Sequence, residues 1–330
     1  MRLNHLVIVG LGSIGRRHLR ILKEFYPKVL ITAVRSGMGD HSSEESLLDN
    51  TVSSIDQAIS RGAQAAIISS PAVCHYDHVM DCFKNDIPVL IEKPLTNDLS
   101  SSMELALLSD KYKSFVGYTF RCRADALDFH SELNSRDIAK ILYVNIFASS
   151  YLPEWRPGVD YRRTVSSKKE LGGGVLLELS HEIDYAYFFF GPFVSVQASL
   201  INTGSLDVDD DVEDLAILNL ITSYGFTVYI YLDFCSRNIK RSCHVHYSIG
   251  DLTWDLQKQQ VSWCGEGSDF NKVYKETRDE VFQTQLKEFV GLIEGEDSKF
   301  PLCGLKDAAQ VMHIIDAAKK SNSLGLPVEL

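Results

Sequence analysis

A run of closely spaced glycines near the start of the sequence is the first feature whose residue types and spacing could do chemistry. It reads Gly10-Leu11-Gly12-Ser13-Ile14-Gly15 and stands between an apolar segment and a helical pattern. In this arrangement the first glycine allows a tight turn, the second lets a pyrophosphate approach, and the third lets helix and strand pack closely. The first N–H groups of the helix then face the phosphates. We predict that Gly10, Gly12, Ser13, Ile14 and Gly15 bind a dinucleotide; the alternative is a glycine turn that serves packing alone.

The end of the second apolar segment bears on which dinucleotide binds. An acidic residue there would bind the ribose 2′-hydroxyl of NAD and repel a 2′-phosphate. The sequence has Arg35 and Ser36 instead, and an arginine can pair with a phosphate in a fork geometry. We therefore expect both residues to bind the cofactor and favour NADP(H), with NAD(H) as the alternative. Arg35 could instead be a surface residue beside a turn.

Several further motifs follow in a characteristic order. They are Ser70-Pro71 with His75, Glu92-Lys93-Pro94, Val116–Arg121, Gly172–Glu178, His181–Asp184, Val212–Asp214 and Gly325–Val328. In this order, and with the glycine run before them, the sequence resembles the Gfo/Idh/MocA family, the glucose–fructose oxidoreductases and inositol dehydrogenases. The resemblance covers nearly the whole chain. It implies an NAD(P)-dependent oxidoreductase and cofactor contacts from Ser70, Pro71, His75, Glu92 and Lys93.

In that family the lysine of the Glu-Lys-Pro motif lies between nicotinamide and substrate, which implies a catalytic role for Lys93. A lysine after a strand stands at the crevice where ligands of parallel sheets bind. Its ammonium can hydrogen-bond the oxygen of an alcohol or ketone and relay a proton. Glu92 could orient the lysine and Pro94 fix the turn. The alternative is a surface lysine before a loop proline.

A second catalytic candidate is His181, because an imidazole can exchange protons near neutral pH. Glu178, His181 and Asp184 are three residues apart and share a face if one helix includes them all. Asp184 could hold the other ring nitrogen. The family pattern usually reads Asp-x-Gly-x-His, whereas here Glu178 stands one residue closer, which puts the role of Glu178 in doubt. The alternative for His181 is a packing residue on an apolar helix.

The polar loop before the Gly172–Gly174 turn carries aromatic and arginine side chains. Aromatic faces stack on sugar rings, and arginines bind carboxylate or phosphate. We therefore expect Trp155, Arg156 and Arg162 to contact substrate, together with His181 and, from the junction after the first domain, Arg121. The loop could instead make an oligomer contact. His244 and His246 alternate on a strand, but no third ligand stands at a suitable spacing, so no metal is expected.

The elements that must position these residues fall into two groups. Short apolar runs alternate with helical patterns up to about residue 120, which predicts a Rossmann-type doubly wound parallel sheet. From about residue 140, strands follow one another with few helices between them, which indicates a large, mostly antiparallel open sheet in an α+β domain. One helix is expected at Leu176–Phe190. We predict a cofactor domain at 1–120 and a substrate and oligomerisation domain at 121–330, whose final helix could pack back toward the first domain.

Composition narrows the class of protein. The chain has 330 residues, of which 45% are hydrophobic, and a formal net charge of -11. Such an acidic chain repels nucleic acid and anionic lipid, so neither is expected as a partner. Seven scattered cysteines indicate reduced thiols, and no signal peptide is recognised, so a cytoplasmic location is expected. The acidic run Asp207–Asp214 is expected to be a solvated turn.

Together these features predict hydride transfer between NAD(P)(H) and a secondary alcohol or ketone of a sugar, cyclitol or nucleotide sugar. A homodimer or homotetramer is implied by the resemblance and by the open sheet face. Two other functions stay open: a redox-neutral, glycosidase-like enzyme with tightly held NAD, and a non-catalytic NADP(H) sensor. The exact substrate, its regiochemistry, the direction of reaction and the oligomer size are not determined by the sequence.

Overall fold

The computed structural model describes residues 2–37 and 41–330, and the chain folds into two compact units. The first unit contains residues up to Cys122 together with Thr277–Ala309. The second contains Arg123–Glu276 together with Gln310–Leu330.

The first unit begins with strands and helices in alternation. They are β1 His5–Val9, α1 Ser13–Phe25, β2 Leu30–Val34, β3 Asn50–Val52, α2 Ile55–Ser60, β4 Ala65–Ile68, α3 His75–Phe83, β5 Val89–Ile91, α4 Leu99–Leu107 and β6 Ser114–Val116. The residues of β1, β4 and β5 are all buried, as expected for parallel strands covered on both faces. Short 3-10 helices also occur, including Ser43–Leu47 after β2 and Thr119–Cys122 after β6.

Most of the second unit follows in sequence. Its elements are α5 Ala124–Asn134, β7 Ile141–Ser149, α6 Val175–Glu178, α7 Ser180–Phe190, β8 Phe193–Ile201, β9 Leu215–Thr222, β10 Thr227–Asp233, β11 Lys240–Tyr247, β12 Gly250–Asp255, β13 Gln260–Gly265 and β14 Phe270–Val273. The chain then forms α8 Arg278–Glu294, β15 Cys303–Gly304, α9 Leu305–Leu324 and β16 Val328–Glu329. The expected single helix at Leu176–Phe190 is wrong, because the chain breaks at Leu179 into α6 and α7.

The first sheet has seven strands in the order β15-β6-β5-β4-β1-β2-β3. All its neighbouring strands are parallel except β15, which pairs antiparallel with β6. Its core includes Leu6, Leu19 and Leu90, and α8 adds Leu286 and Phe289 to the same cluster. Burial of these apolar side chains is the main force that holds α8 against the sheet.

The second sheet has nine strands in the order β14-β13-β12-β11-β7-β10-β9-β8-β16. Its pairs are antiparallel except β7 with β10. In β7, buried Val144, Ile146 and Ala148 alternate with less buried residues, the pattern of a sheet packed on one face. The predicted fold class, a Rossmann-type sheet plus a large, mostly antiparallel sheet, is thereby confirmed.

Three further features concern hydropathy, the cysteines and the acidic run. No helix within 2–37 and 41–330 is long and apolar enough to span a bilayer. All seven cysteines are free, and four of them are buried. The acidic run is exposed at Asp207, Asp210 and Asp211, as expected of a solvated turn, but Asp214 at its end is fully buried and accepts hydrogen bonds from Thr203 N and Oγ1.

Candidate functional site

The glycine run forms a tight turn between β1 and α1. Gly10 has φ +91°, a conformation that L side chains rarely adopt, and a Cβ there would lie 2.8 Å from Ser70 N. A Cβ on Gly15 would lie 2.1 Å from Gly10 O. Both positions therefore require glycine for backbone conformation or close packing, as the sequence predicts. A side chain at either position would push the turn away from the sheet.

Gly12 differs, because a Cβ there would meet nothing within 4 Å. It is the N-cap of α1, offers no side chain to cap the helix, and is followed by an exposed Ser13. The first turn of α1 contains no acidic residue. Its N–H groups and positive dipole end are therefore open to an anion, and the backbone at Gly12 leaves room for one. The turn fits the pyrophosphate of a dinucleotide, with Ile14 half-buried just behind it.

Other predicted cofactor residues converge on the same edge of the sheet. Gly10 N donates to Val34 O across 3.1 Å, which sets the end of β2 beside the glycine turn. Arg35 is the next residue, and Ser36 after it is exposed. Ser70 follows β4 on the opposite side of β1, and Ser70 Oγ lies 2.9 Å from His78 Nδ1. The structure thus brings together the glycine turn, Arg35 and Ser70.

Arg35 is held by an acidic residue that was not predicted from the sequence. Its guanidinium forms an ion pair with Glu45 of the 3-10 helix Ser43–Leu47 and lies 3.1 Å from His41 Nδ1. Ser42 N donates to Glu45 Oε1 at 3.0 Å as part of a capping box. The pKa of Glu45 lies below its usual range. The contact with His41 lowers it most, and the hydrogen bond from Ser42 and the charge of Arg35 lower it further. The capping box, serine followed three residues later by glutamate, is the sequence signal that could have located Glu45.

His75, which is predicted to bind the cofactor, is buried, with 1% of the residue exposed. Its Nε2 lies 2.9 Å from Ser70 O, and its Nδ1 lies 3.0 Å from Pro94 O. The ring therefore ties the loop after β4, where Pro71 is exposed, to the turn after β5. Burial lowers the pKa of His75, and the hydrogen bonds to the carbonyl oxygens of Ser70, Pro94 and Leu95 oppose that shift.

Glu92 and Lys93 follow β5 at the same edge, and both are partly exposed. Glu92 Oε1 lies 2.7 Å from Nε2 of His18, a fully buried residue of α1. The His18 Nδ1 atom is buried and has no hydrogen-bond partner in the part of the chain that the structure describes. Because the carboxylate oxygen of Glu92 only accepts, Nε2 of His18 is the donor of this hydrogen bond. This contact was not predicted, although His18 lies three residues, one helical turn, beyond Gly15.

The second unit holds the other predicted catalytic residues. Glu178 ends α6, and its Oε2 accepts a hydrogen bond from Ser166 Oγ at 2.9 Å. The break at Leu179 means that Glu178 and His181 do not lie on one continuous helix. On α7, His181 is partly exposed and Asp184 is buried.

The Gly172–Gly174 turn before α6 is held by Glu213, another residue to which the sequence alone assigned no role. Gly174 has φ +113°, and a Cβ there would lie 2.4 Å from Glu213 Oε1. Leu176 N donates to Glu213 Oε1 at 3.2 Å, and Val175 N donates to Glu213 O at 3.0 Å. Burial raises the pKa of Glu213. This carboxyl therefore fixes the start of the segment that leads to His181.

The residues predicted to contact substrate have different surroundings. Trp155 and Arg156 line a small cavity together with Leu152, Val159, Tyr161, Thr164 and Ser166. Trp155 Nε1 donates to Ser150 Oγ at 2.9 Å, which fixes the indole. Arg162 is exposed and forms a bidentate pair with Asp160 at 2.8 and 2.9 Å. Arg121, in the first unit, is buried and pairs with Asp307 at 2.7 Å.

The two histidines of β11 hydrogen-bond to neighbouring side chains. His244 Nε2 lies 2.9 Å from Ser242 Oγ, and His246 Nδ1 lies 2.7 Å from Asp251 Oδ1. Among residues 2–37 and 41–330, no group of three or more histidine, cysteine, aspartate or glutamate residues could hold a metal ion.

Comparisons with known proteins agree with this geometry. Residues 4–120 match the family model GFO_IDH_MocA, described as an oxidoreductase family with an NAD-binding Rossmann fold, and residues 130–253 match the GFO/IDH/MocA C-terminal domain. An inositol 2-dehydrogenase of Streptomyces avermitilis is 25% identical over 194 residues, 56% of this chain and 52% of that protein. The chain spans about half the length of the curated relatives it matches first.

Solved structures share the fold over the full length. Levoglucosan dehydrogenase in complex with NADH and levoglucosan has a TM-score of 0.84 at 16% identity, covering 99% of both chains. The WlbA dehydrogenase of Bordetella pertussis, in complex with NADH and UDP-GlcNAcA, has a TM-score of 0.82 at 16% identity, covering 100% of this chain and 99% of that one. At these identities the similarity shows the fold.

Proposed function

The chain belongs to the Gfo/Idh/MocA oxidoreductase family, and on that premise we propose that it is an NAD(P)-dependent dehydrogenase or reductase. Its substrate is a secondary alcohol or ketone of a sugar, cyclitol or nucleotide sugar. Residues 1–120 hold the cofactor and residues 121–330 the substrate. The bound nicotinamide supplies the hydride chemistry, and the side chains bind, orient and exchange a proton.

The observation that carries this proposal is the turn at Gly10–Gly15. Its helix N-terminus is uncapped at Gly12, where an added Cβ would meet nothing, while Gly10 and Gly15 are packed too closely for any side chain. A turn needed only for packing would explain Gly10 and Gly15 but gives no reason for the open backbone at Gly12. A dinucleotide pyrophosphate explains all three positions.

Lys93 and His181 transfer the proton of the substrate hydroxyl. Lys93 follows β5 at the carboxyl edge of the sheet, beside a loop held in place by His75. Its ammonium stabilises the developing negative charge on the substrate oxygen and relays the proton. His181 receives or returns the hydroxyl proton, with Asp184 on the same helix and Glu178 in the preceding turn as its supporting residues.

Substrate recognition is assigned to Trp155, Arg156, Arg162 and Arg121. Support comes from the cavity that Trp155 and Arg156 line and from the hydrogen bond that fixes the indole for stacking on a sugar ring. Ser166 links this cavity to Glu178. Arg162 and Arg121 are already paired with aspartates, so an anionic substrate group would have to compete with Asp160 or Asp307.

The preferred cofactor is NADP(H), with NAD(H) as the alternative. Support comes from the absence of an acidic residue directly after β2 and from the position of Arg35 beside the glycine turn. NADH is the nucleotide in the solved complexes of levoglucosan dehydrogenase and WlbA, so direct comparison of NADH and NADPH is required. We also propose a cytoplasmic location, which cell fractionation would test.

The functional test measures cofactor oxidation and reduction with purified protein and a substrate panel of inositol, levoglucosan and UDP-GlcNAcA. Lys93→Met should lower turnover about 100-fold or more, the usual contribution of a proton-transfer group. NAD(P)H affinity should change far less, because the phosphates bind elsewhere. Lys84→Met, at an exposed lysine paired with Asp81, is the matched control and should keep full turnover.

Each alternative function has its own outcome in this experiment. Full turnover by Lys93→Met would contradict the catalytic assignment. Substrate conversion without net change in NAD(P)H absorbance would indicate a redox-neutral enzyme. Tight nucleotide binding without turnover of any substrate, and indifferent to Lys93→Met, would indicate a sensor.

A further inference from the structure

Arg35 does not present a free positive charge to a ligand at the end of β2. Its guanidinium is largely shielded, with 11% of the side chain exposed, and it forms an ion pair with Glu45. The backbone continues the sheet there, because Arg35 N donates to Val52 O at 3.1 Å. The arginine is therefore fixed at both backbone and side chain, beside the glycine turn.

The Glu45 carboxylate is itself held in place by contacts with neighbouring residues. Ser42 N donates to its Oε1 at 3.0 Å, and His41 Nδ1 lies 2.8 Å from its Oε2. The short helix that carries it is tied to α1 by Arg20 Nη1, which donates to Glu44 Oε1 at 2.8 Å. Nearby, Lys23 Nζ pairs with Asp49 Oδ2 at 2.6 Å. A fixed carboxylate thus stands next to the arginine that would bind a 2′-phosphate.

We propose that Glu45 is a cofactor-selectivity residue that weakens binding of a 2′-phosphorylated dinucleotide relative to an unphosphorylated one. The inference rests on the proposed NAD(P) binding. Glu45 acts in two ways: it occupies Nη1 of Arg35, a donor that a 2′-phosphate would use, and its negative charge repels that phosphate. An unphosphorylated ribose does not depend on that donor and meets no such repulsion. Glu45 therefore opposes the NADP(H) preference that Arg35 supports.

The test compares dissociation constants of NADPH and NADH, measured by nucleotide fluorescence, for the wild type and Glu45→Gln. We expect the affinity for NADPH relative to that for NADH to rise about tenfold in Glu45→Gln, because one nearby negative charge has been removed. Glu44→Gln is the matched control, because this adjacent carboxylate pairs with Arg20 instead of Arg35. Its ratio should equal that of the wild type. Circular dichroism melts establish that each variant is folded.

A double variant separates the release of Arg35 from a general effect of charge. In an Arg35→Gln background, the shift that Glu45→Gln still produces comes from relief of the charge repulsion alone, because no arginine is left to release. A ratio unchanged by Glu45→Gln in folded protein would overturn the inference, as would an equal shift with Glu44→Gln. If the wild type bound neither nucleotide, the proposed function itself would fail. If it bound NADH more tightly yet showed the Glu45→Gln shift, only the NADP(H) preference would be wrong.

Discussion

At the scale of single residues, the position of the proposed catalytic lysine depends on buried side chains that the sequence did not assign to this turn. Glu92 directly precedes Lys93, and its carboxylate is hydrogen-bonded to the buried His18 of α1. The turn after β5 is held by His75 through carbonyl oxygens. Two histidines that never reach solvent thus fix the turn that carries the proposed catalytic lysine.

His18→Leu should lower stability by removing the donor to a partly buried carboxylate. The expected cost is about 1–3 kcal/mol, or several degrees in Tm. His18→Gln keeps an N–H donor of similar reach and should lose less. His5→Leu is the control, since this buried histidine contacts the neutral Thr32 Oγ1 at 2.8 Å. Thermal melts showing His18→Leu no more damaging than His5→Leu would contradict the assigned pair.

At the scale of elements, the segment that leads to His181 is shaped by a turn and a helix break rather than by one long helix. Gly174 turns with positive φ against the Glu213 carboxyl, and Leu179 separates α6 from α7. Glu213 comes from the residues just before β9, far away in sequence. Because Glu213 accepts the Leu176 N–H, it supplies the N-terminal cap that α6 cannot provide for itself.

Gly174→Ala should be more destabilising than an ordinary glycine substitution at positive φ. Backbone strain costs about 1–3 kcal/mol, and the clash with Glu213 must add to this. Gly158→Ala is the reference for a substitution at positive φ without a clash, because Gly158 has φ +79° and a Cβ there would meet nothing within 4 Å. Chemical denaturation compares the two variants. Equal losses would show that Glu213 does not press against Gly174.

At the scale of the whole molecule, one face of the nine-stranded sheet leaves several large apolar side chains exposed among polar ones. Tyr229 is 42% exposed, Tyr143 and Ile217 are each 39% exposed, and the strand registers place all three on one face. Exposed apolar patches of this kind are typical of protein interfaces. We propose that a homodimer or homotetramer covers this face.

Tyr229→Glu should dissociate the assembly, because it places an unpaired charge on the face that the partner would cover. Light scattering after size-exclusion chromatography would then show a monomer, whereas the wild type would show a dimer or tetramer. Tyr224→Glu is the control, at an exposed tyrosine of the turn between β9 and β10. A wild-type monomer, or an unchanged mass for Tyr229→Glu, would contradict the proposal.

Much of the architecture follows from local pattern. Apolar runs alternating with helices predict the parallel sheet, and runs of strands predict the antiparallel sheet, because hydrophobic periodicity is a local property of the chain. The glycine spacing predicts the turn at Gly10–Gly15 for the same reason, since backbone conformation and the lack of a Cβ belong to each residue itself. The family resemblance, carried by ordered short motifs, is likewise confirmed.

Only the tertiary structure decided which polar and charged groups contact each other. Glu45 lies ten residues after Arg35, His18 lies 74 residues before Glu92, and Glu213 lies 37 residues after Leu176. Pairing between such residues depends on where separate elements pack, and no local periodicity encodes that. The break at Leu179 and the burial of His75 have the same origin, because packing against distant segments overrides local helix propensity and local polarity.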